Sequence, residues 1–335
     1  MINTKACNAT EQHDDLGIDS LIGDTPLVDV SQKSNNNSGR IFAKCEFFNP
    51  GMSLKDRIAA NMINNIDISL MTKSTIVCAS SGNTGCSVAM LGKKRGMRVI
   101  VVTSNKCSQE KINHIKSYGA EVIVVDNGVD YIDFAKQYSL DNEYYNIDQY
   151  NNPYNESAYY NTLGPEIWRQ TGGNITHFIM TGSSFGCISG TSRYLKEKNS
   201  NIKVILADPK NSNISNYYSD FKNNINSKLL PSKPYIIEGA GKSNLTSLIN
   251  FSLIDDVISV SDVDAIKECR KLAEINGIFV GGSSGLNMAA SKIIQKNTKP
   301  KDIIVTIFCD SGVKYLSKIY NPDFLSENGI DLPVN

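Results

Sequence analysis

The chain has no charge excess: lysine plus arginine and aspartate plus glutamate stand at 34 each in 335 residues. A protein without a long-range positive field has little to attract nucleic acid or an anionic bilayer, so neither is expected as a partner. No run approaches the ~18 apolar residues of a membrane span, and the polar start MINTKACNATEQHDD lacks the apolar stretch of a secretory leader. The eight cysteines, Cys7, Cys45, Cys78, Cys86, Cys107, Cys187, Cys269 and Cys309, include no CxxC pair, and several sit in apolar runs such as TIVCASS and IFCDSG. That scatter argues against a disulfide framework or a zinc site and favours reduced thiols in a cytoplasmic protein. Cys7 and His13 are two lone candidate ligands on the terminus, too few for a metal centre, and no metal is expected. A complete GxGxxG fingerprint is absent, which counts against a dinucleotide-dependent oxidoreductase. EGAGKS at 238–243 imitates a phosphate-binding P-loop, but Ile236 stands where that pattern needs its first glycine.

What the chain does have is alternation. STIVCAS, NTGCSVAMLGKKRG, MRVIVVT, SQEKINHIKSYG and AEVIVVD read as strand, helix, strand, helix, strand, and the pattern returns from GGNITHFIMTG to KVILADP. Such βαβ units imply parallel sheets, and the length suits one large or two medium domains, so two α/β lobes are expected. The stretch 139–162, rich in asparagine and tyrosine, reads as a looser segment between the lobes, and 211–234 as a second soft region.

Three loops rich in glycine and serine each sit between an expected strand and an expected helix: SSGNTG at 80–85, TGSSFGCISG at 181–190 and GGSSG at 281–285. Backbone N–H groups and the positive end of a helix dipole converge at such loops, so they predict anion binding. One loop of this kind is common in any α/β protein. Three on one chain, together with Lys55 in NPGMSLKDR, make a constellation.

In that order, NPGMSLKDR, SSGNTG, the glycine–serine loop and GGSSG resemble the fold-type II pyridoxal-phosphate enzymes of the cysteine synthase and cystathionine β-synthase family. The resemblance runs from IGDTPLVDV at 22–30 to CDSGVKYLS at 309–317. It implies an α/β fold of two three-layer α/β/α lobes with mostly parallel sheets, of the tryptophan synthase β type. It also implies a larger cofactor-binding domain of residues 1–45 plus 163–335 and a smaller mobile domain, 46–162, that binds the substrate's carboxylate. A homodimer is the expected assembly.

Carried over by position, Lys55 corresponds to the lysine that forms a Schiff base with pyridoxal 5'-phosphate, and Asn83 to the asparagine facing the cofactor's phenolic oxygen. Ser80, Ser81, Gly82, Thr84 and Gln149 correspond to the holders of the substrate's α-carboxylate. Ser183, Ser184, Phe185, Gly186 and Cys187 occupy the place of the phosphate loop, with Phe185 where glycine is usual and Cys187 where a hydroxyl is usual. A branch of the family that makes precursors of 2,3-diaminopropionate also varies this loop. Ser283 corresponds to the residue facing the pyridine nitrogen; a serine cannot keep that nitrogen protonated, which weakens the electron sink and favours β-elimination.

The resemblance therefore implies β-replacement or β-elimination on an activated serine or cysteine through an aminoacrylate, with Lys55 as anchor and base. Small-molecule amino acids are the expected partners. An alternative joins a unit derived from O-phosphoserine to an amino-acid amine such as glutamate, with Lys242 and Ser243 of EGAGKS at the entrance to meet the second substrate. An alternative of another class is an inactive family member acting as a binding partner.

Overall fold

The structure, a computed structural model, describes residues 17–31, 37–67, 69, 73–105, 107–225 and 232–332. Cys7 and His13 lie outside the described residues. In chain order the strands are β1 (Leu27–Asp29), β2 (Arg40–Cys45), β3 (Thr75–Ala79), β4 (Arg98–Ser104), β5 (Glu121–Val125), β6 (Tyr145–Asn146), β7 (His177–Thr181), β8 (Lys203–Pro209), β9 (Asp256–Val260) and β10 (Ile303–Phe308). The helices are α1 (Lys55–Asn64), α2 (Asn83–Lys94), α3 (Gln109–Ser117), α4 (Tyr131–Asn142), α5 (Pro153–Asn161), α6 (Leu163–Gln170), α7 (Gly186–Lys198), α8 (Ile214–Asn223), α9 (Asp262–Asn276), α10 (Gly282–Gln295) and α11 (Pro322–Glu327).

The strands divide into two sheets. One has the order β1-β2-β10-β7-β8-β9 and is parallel except for the β1–β2 pair; the other has the order β5-β4-β3-β6 and is parallel throughout. All five residues of TIVCA in β3 are buried, as a parallel strand covered on both faces requires. Alternate side chains serve opposite faces: Ile76 and Cys78 pack in the core that contains Val88 and Leu91 of α2, whereas Val77 and Ala79 pack with Ala135 of α4. The larger sheet repeats the arrangement, with Phe178 and Met180 facing Ile188 of α7, and Ile179 facing Leu286 of α10.

Helix starts follow capping chemistry. Ser261 accepts from the Asp264 amide at 3.1 Å, and Asn152 accepts from the Tyr154 amide at 3.0 Å with Pro153 in the first turn. Gly277 ends α9 at φ 66°, the left-handed conformation that suits glycine.

Three sequence expectations need correction. The stretch 139–162 is not loose: it contains β6 and α5, and α5 packs against α1 and α7 with Asn155 and Tyr159 fully buried. Those side chains hold it there, Asn155 donating to the Gln149 carbonyl at 2.7 Å and Tyr159 to the Leu54 carbonyl at 3.2 Å. Within 211–234 the described residues contain α8, anchored by buried Ile214 and Tyr218, while 226–231 lie outside the described residues. GGSSG does not follow a strand; its apolar lead-in makes one isolated bridge, Val280 with Ser311, and is held by packing in the core.

Candidate functional site

Lys55 is the first residue of α1, and the preceding turn fixes where that helix begins. Met52 sits in the left-handed region at φ 56°, its amide bonded to the Asn49 carbonyl at 2.7 Å, and the Leu54 amide donates to the Cys309 carbonyl at 2.9 Å. The helix start is thereby fastened to the end of β10. The neighbours of Lys55 are structural. Buried Asp56 accepts from the Gly51 amide and the Ser87 hydroxyl, both at 2.5 Å. Arg57 forms two bidentate pairs at 2.7–2.8 Å, one with Glu46 and one with Glu166, and Lys44 pairs with Glu166 at 2.7 Å.

Two adjoining cavities share Lys55, Asn83, Ser183, Ser184 and Gly239. They open at the carboxyl ends of β3, β7 and β10, where the loops of parallel sheets collect ligands. Burial lowers the Lys55 amine below the ordinary lysine pKa, outweighing the opposing influence of Cys187, Cys309 and Asp310. Both thiols are neutral, because burial pushes Cys187 upward and Cys309 up to about 12. Desolvation of this kind favours the neutral, nucleophilic form of an amine.

The first cavity is lined by Ser80 to Thr84 at the start of α2, with Gln149, Tyr150, Lys111 and Glu238. Ser80 Oγ accepts from the Gly82 and Gly85 amides at 3.1 and 2.9 Å, so this hydroxyl shapes the loop. Thr84 Oγ1 donates to Gln149 Oε1 at 2.6 Å, and Gln149 Nε2 donates to the Ala79 carbonyl at 2.8 Å. Gly82 has φ 158°, and a Cβ there would also strike the Lys111 side chain at 2.7 Å. The first turn of α2 thus borders a cavity whose position suits an anion.

The second cavity is lined by Ser183 to Phe185, Cys187, Thr181, Ser283 and Cys309. Phe185 occupies the left-handed region at φ 66°, the conformation a glycine would adopt freely, and its ring is nonetheless 2% exposed. The loop accommodates the ring because Gly182 has no side chain; a Cβ there would run into the Phe185 ring. A Cβ at Gly186 would strike Asn155. The start of α7 borders the cavity through Phe185 and Cys187. Buried Thr181 Oγ1 has no hydrogen-bond partner among the described residues, and buried Ser283 interacts with Cys309.

The residues singled out from sequence, Lys55, Ser80 to Thr84, Gln149, Ser183 to Phe185, Cys187 and Ser283, border one or both cavities, whereas Gly186 lines neither. Sequence reasoning did not single out the charged residues around them. Lys111 of α3 pairs with Glu238 at 2.5 Å and lies 4.1 Å from the Tyr315 ring centroid. Buried Lys314 donates to Asn83 Oδ1 at 2.9 Å and to the Gly51 carbonyl at 2.8 Å, while Asn83 Nδ2 and the Tyr315 hydroxyl both donate to Asp310 at 2.7 Å. An acid directly after the apolar run IIVTIFC was the available signal for Asp310; Lys111 had none beyond its place on an amphipathic helix. Of EGAGKS, Glu238 and Gly239 line the first cavity, Lys242 covers Tyr150 with Nζ 4.1 Å from the ring centroid, and the Ser243 hydroxyl pairs with Ser232.

A family model described as pyridoxal-phosphate dependent enzyme matches residues 18–310. A cysteine synthase of Dictyostelium discoideum is 32% identical over 330 residues, covering 94% of this chain and 87% of that protein. Among solved structures, an O-acetylserine dependent cystathionine beta-synthase from Helicobacter pylori superposes with a TM-score of 0.81 at 31% identity, over 92% of this chain and all of that one. An O-ureido-L-serine synthase superposes with a TM-score of 0.82 at 25% identity, over 96% of this chain and 98% of that one.

Proposed function

The chain belongs to the family of pyridoxal-phosphate-dependent enzymes, and on that premise we propose that Lys55 holds the cofactor and serves as base in a β-replacement on an activated serine or cysteine. It is an enzyme of the cysteine synthase type, using pyridoxal phosphate to act on serine derivatives. The observation that carries the assignment to Lys55 is its desolvated amine, shared by both cavities.

The second cavity fits pyridoxal phosphate. Its unpartnered Thr181 hydroxyl and the first amides of α7 suit a phosphate, with Ser183, Ser184, Phe185, Gly186 and Cys187 as the cradle. Asn83 offers an N–H to a phenolic oxygen, and Ser283 a neutral hydroxyl to a ring nitrogen. When bound, the cofactor supplies an electron-withdrawing ring that weakens the substrate's Cα–H bond.

The chain's own residues do the rest. The loop Ser80 to Thr84, through the amides that Ser80 Oγ does not bind, together with Gln149 holds the α-carboxylate and so orients Cα toward Lys55. Over one turnover the Cα proton goes to Lys55 Nζ, the bond from Cβ to the leaving group breaks with its electron pair on the departing atom, the nucleophile forms the new Cβ bond, and Lys55 returns the proton to Cα. Residues 46–162 act as the smaller, mobile domain that closes on the carboxylate and excludes water, against a larger domain of 1–45 plus 163–335. The sheet β5-β4-β3-β6, drawn wholly from within 46–162, supports that division.

The substrates are small amino acids, and the working form is a cytoplasmic homodimer; buried, unpaired Cys45, Cys78, Cys86, Cys107, Cys187, Cys269 and Cys309 support the reducing compartment. The test is to incubate the purified holoenzyme with O-acetylserine, O-phosphoserine, serine and cysteine in turn and assay the released leaving group. Release from at least one, abolished in Lys55→Ala, is expected; release from none overturns the reading in favour of an inactive binding partner.

A further inference from the structure

We propose that Lys111 is a further substrate-binding residue, whose ammonium group leaves its resident partner Glu238 to pair with the α-carboxylate of the amino acid held at the α2 loop. This rests on the reading of Ser80 to Thr84 and Gln149 as holders of that carboxylate, and adds the charge those neutral groups lack.

The donors of the loop are neutral and partly engaged. Ser80 Oγ takes the Gly82 and Gly85 amides, and the Cys86 amide closes on the Gly82 carbonyl at 3.1 Å. The Thr84 proton is directed at Gln149 Oε1, and one Gln149 N–H at the Ala79 carbonyl. The amides of Ser81, Asn83 and Thr84 are left for an anion. Among the residues that line the first cavity, Lys55 and Lys111 carry the amines and Glu238 the carboxylate. With Lys55 given to the cofactor, Lys111 is the cation available to a substrate.

Lys111 lies against the loop itself. Its stem crosses Gly82, where a Cβ would stand 2.7 Å from Cδ and 3.3 Å from Nζ, so the absence of a side chain at 82 is what admits it. The start of α3 is tied to the segment after β10: Ser108 Oγ donates to the Lys314 carbonyl at 3.2 Å, and Glu110 accepts from the Ser317 amide and hydroxyl, both at 2.8 Å. Burial opposes the Lys111 charge, yet Glu238 and Asp310 outweigh it and raise the pKa, so the group is a cation at neutral pH. The members of the ion pair differ in access, the Lys111 side chain being 2% exposed and that of Glu238 24%. Glu238 can turn to water, whereas a buried ammonium needs an anion where it stands. A carboxylate arriving at the loop supplies one through a charge-assisted hydrogen bond. A phosphate leaving group has the same chemistry; we assign the carboxylate, because the Lys111 stem rests on Gly82 in the middle of its loop.

The experiment titrates holoenzyme of the native chain, Lys111→Met, Lys111→Arg and Glu238→Gln with L-alanine and with L-alaninamide, which differ in the carboxylate and have no leaving group, and reads the shift in cofactor absorbance. The expected result is a Kd for alanine raised about tenfold in Lys111→Met, the loss of one charged hydrogen bond, with the Kd for alaninamide unchanged and recovery in Lys111→Arg. Glu238→Gln leaves Lys111 without its resident acid, so alanine is expected to bind more tightly and alaninamide as before; this arm stands even where Lys111→Met does not fold. Acid and amide shifting together, an unchanged alanine Kd in Lys111→Met, or alanine no tighter in Glu238→Gln each overturns the proposal. So does a rise in KM confined to O-phosphoserine, against O-acetylserine, which would give Lys111 to the leaving group. If no serine derivative releases its leaving group from the native holoenzyme, the β-replacement reading fails, while the comparison of acid with amide still decides the place of Lys111.

Discussion

Lys314 Nζ donates to Asn83 Oδ1 at 2.9 Å, and Asn83 Nδ2 donates to Asp310 at 2.7 Å. An ammonium group only donates and a carboxylate oxygen accepts, so the orientation of the Asn83 amide follows from its partners. Its second N–H is left for the cavities that Asn83 lines. Lys314→Met removes the donor, frees the amide to turn and strips a bond from the Gly51 carbonyl. Affinity for pyridoxal phosphate is expected to fall about tenfold to a hundredfold, the range of one charged hydrogen bond, in a fluorescence titration of cofactor-free protein.

Phe185→Gly sets two effects against each other. The left-handed backbone at Phe185 costs about 1–2 kcal/mol that glycine would recover, whereas deleting a buried phenyl ring costs about 3–5 kcal/mol. Loss of packing wins. The variant is expected to be about 2 kcal/mol less stable by denaturant unfolding.

Glu166 is held down to about 2 because the Arg57 and Lys44 cations outweigh the burial that opposes its charge. A carboxylate depressed in the folded state stabilises the fold above its unfolded pKa and ceases to do so as pH falls through the folded value. Here the contribution, about 3 kcal/mol, is present at pH 7 and is lost between about pH 4.5 and pH 2. Glu166→Gln is expected to be strongly destabilised at pH 7, with the difference from the native chain shrinking below pH 4 in urea unfolding. A constant difference would mean that the ion network does not hold α1 in place.

The frame of the fold was legible because fully buried parallel strands such as TIVCA and VIVVT leave continuous apolar runs. The loops at Ser80 and Ser183 and the lysine at 55 were legible because their glycines and serines follow one another in a recognisable order. Residues 139–162 misled because asparagine and tyrosine look polar, yet Asn155 and Tyr159 are buried, Asn155 bonded to the nearby Gln149 carbonyl and Tyr159 to the distant Leu54 carbonyl, which no local pattern announces. Lys111 and Lys314 were hidden for a related reason: each is matched by a partner more than a hundred positions away, Glu238 and Asn83 respectively. Gly182 and Phe185 illustrate a third case, in which an unusual residue is tolerated because a near neighbour has no side chain.

The most direct test of the central claim is to reduce the holoenzyme with borohydride, digest it and locate the pyridoxyl group by mass spectrometry. The expected result is one modified peptide carrying the group on Lys55, absent from Lys55→Ala. The group on Lys111, Lys242 or Lys314 instead, or no modified peptide from protein saturated with pyridoxal phosphate, would contradict the assignment.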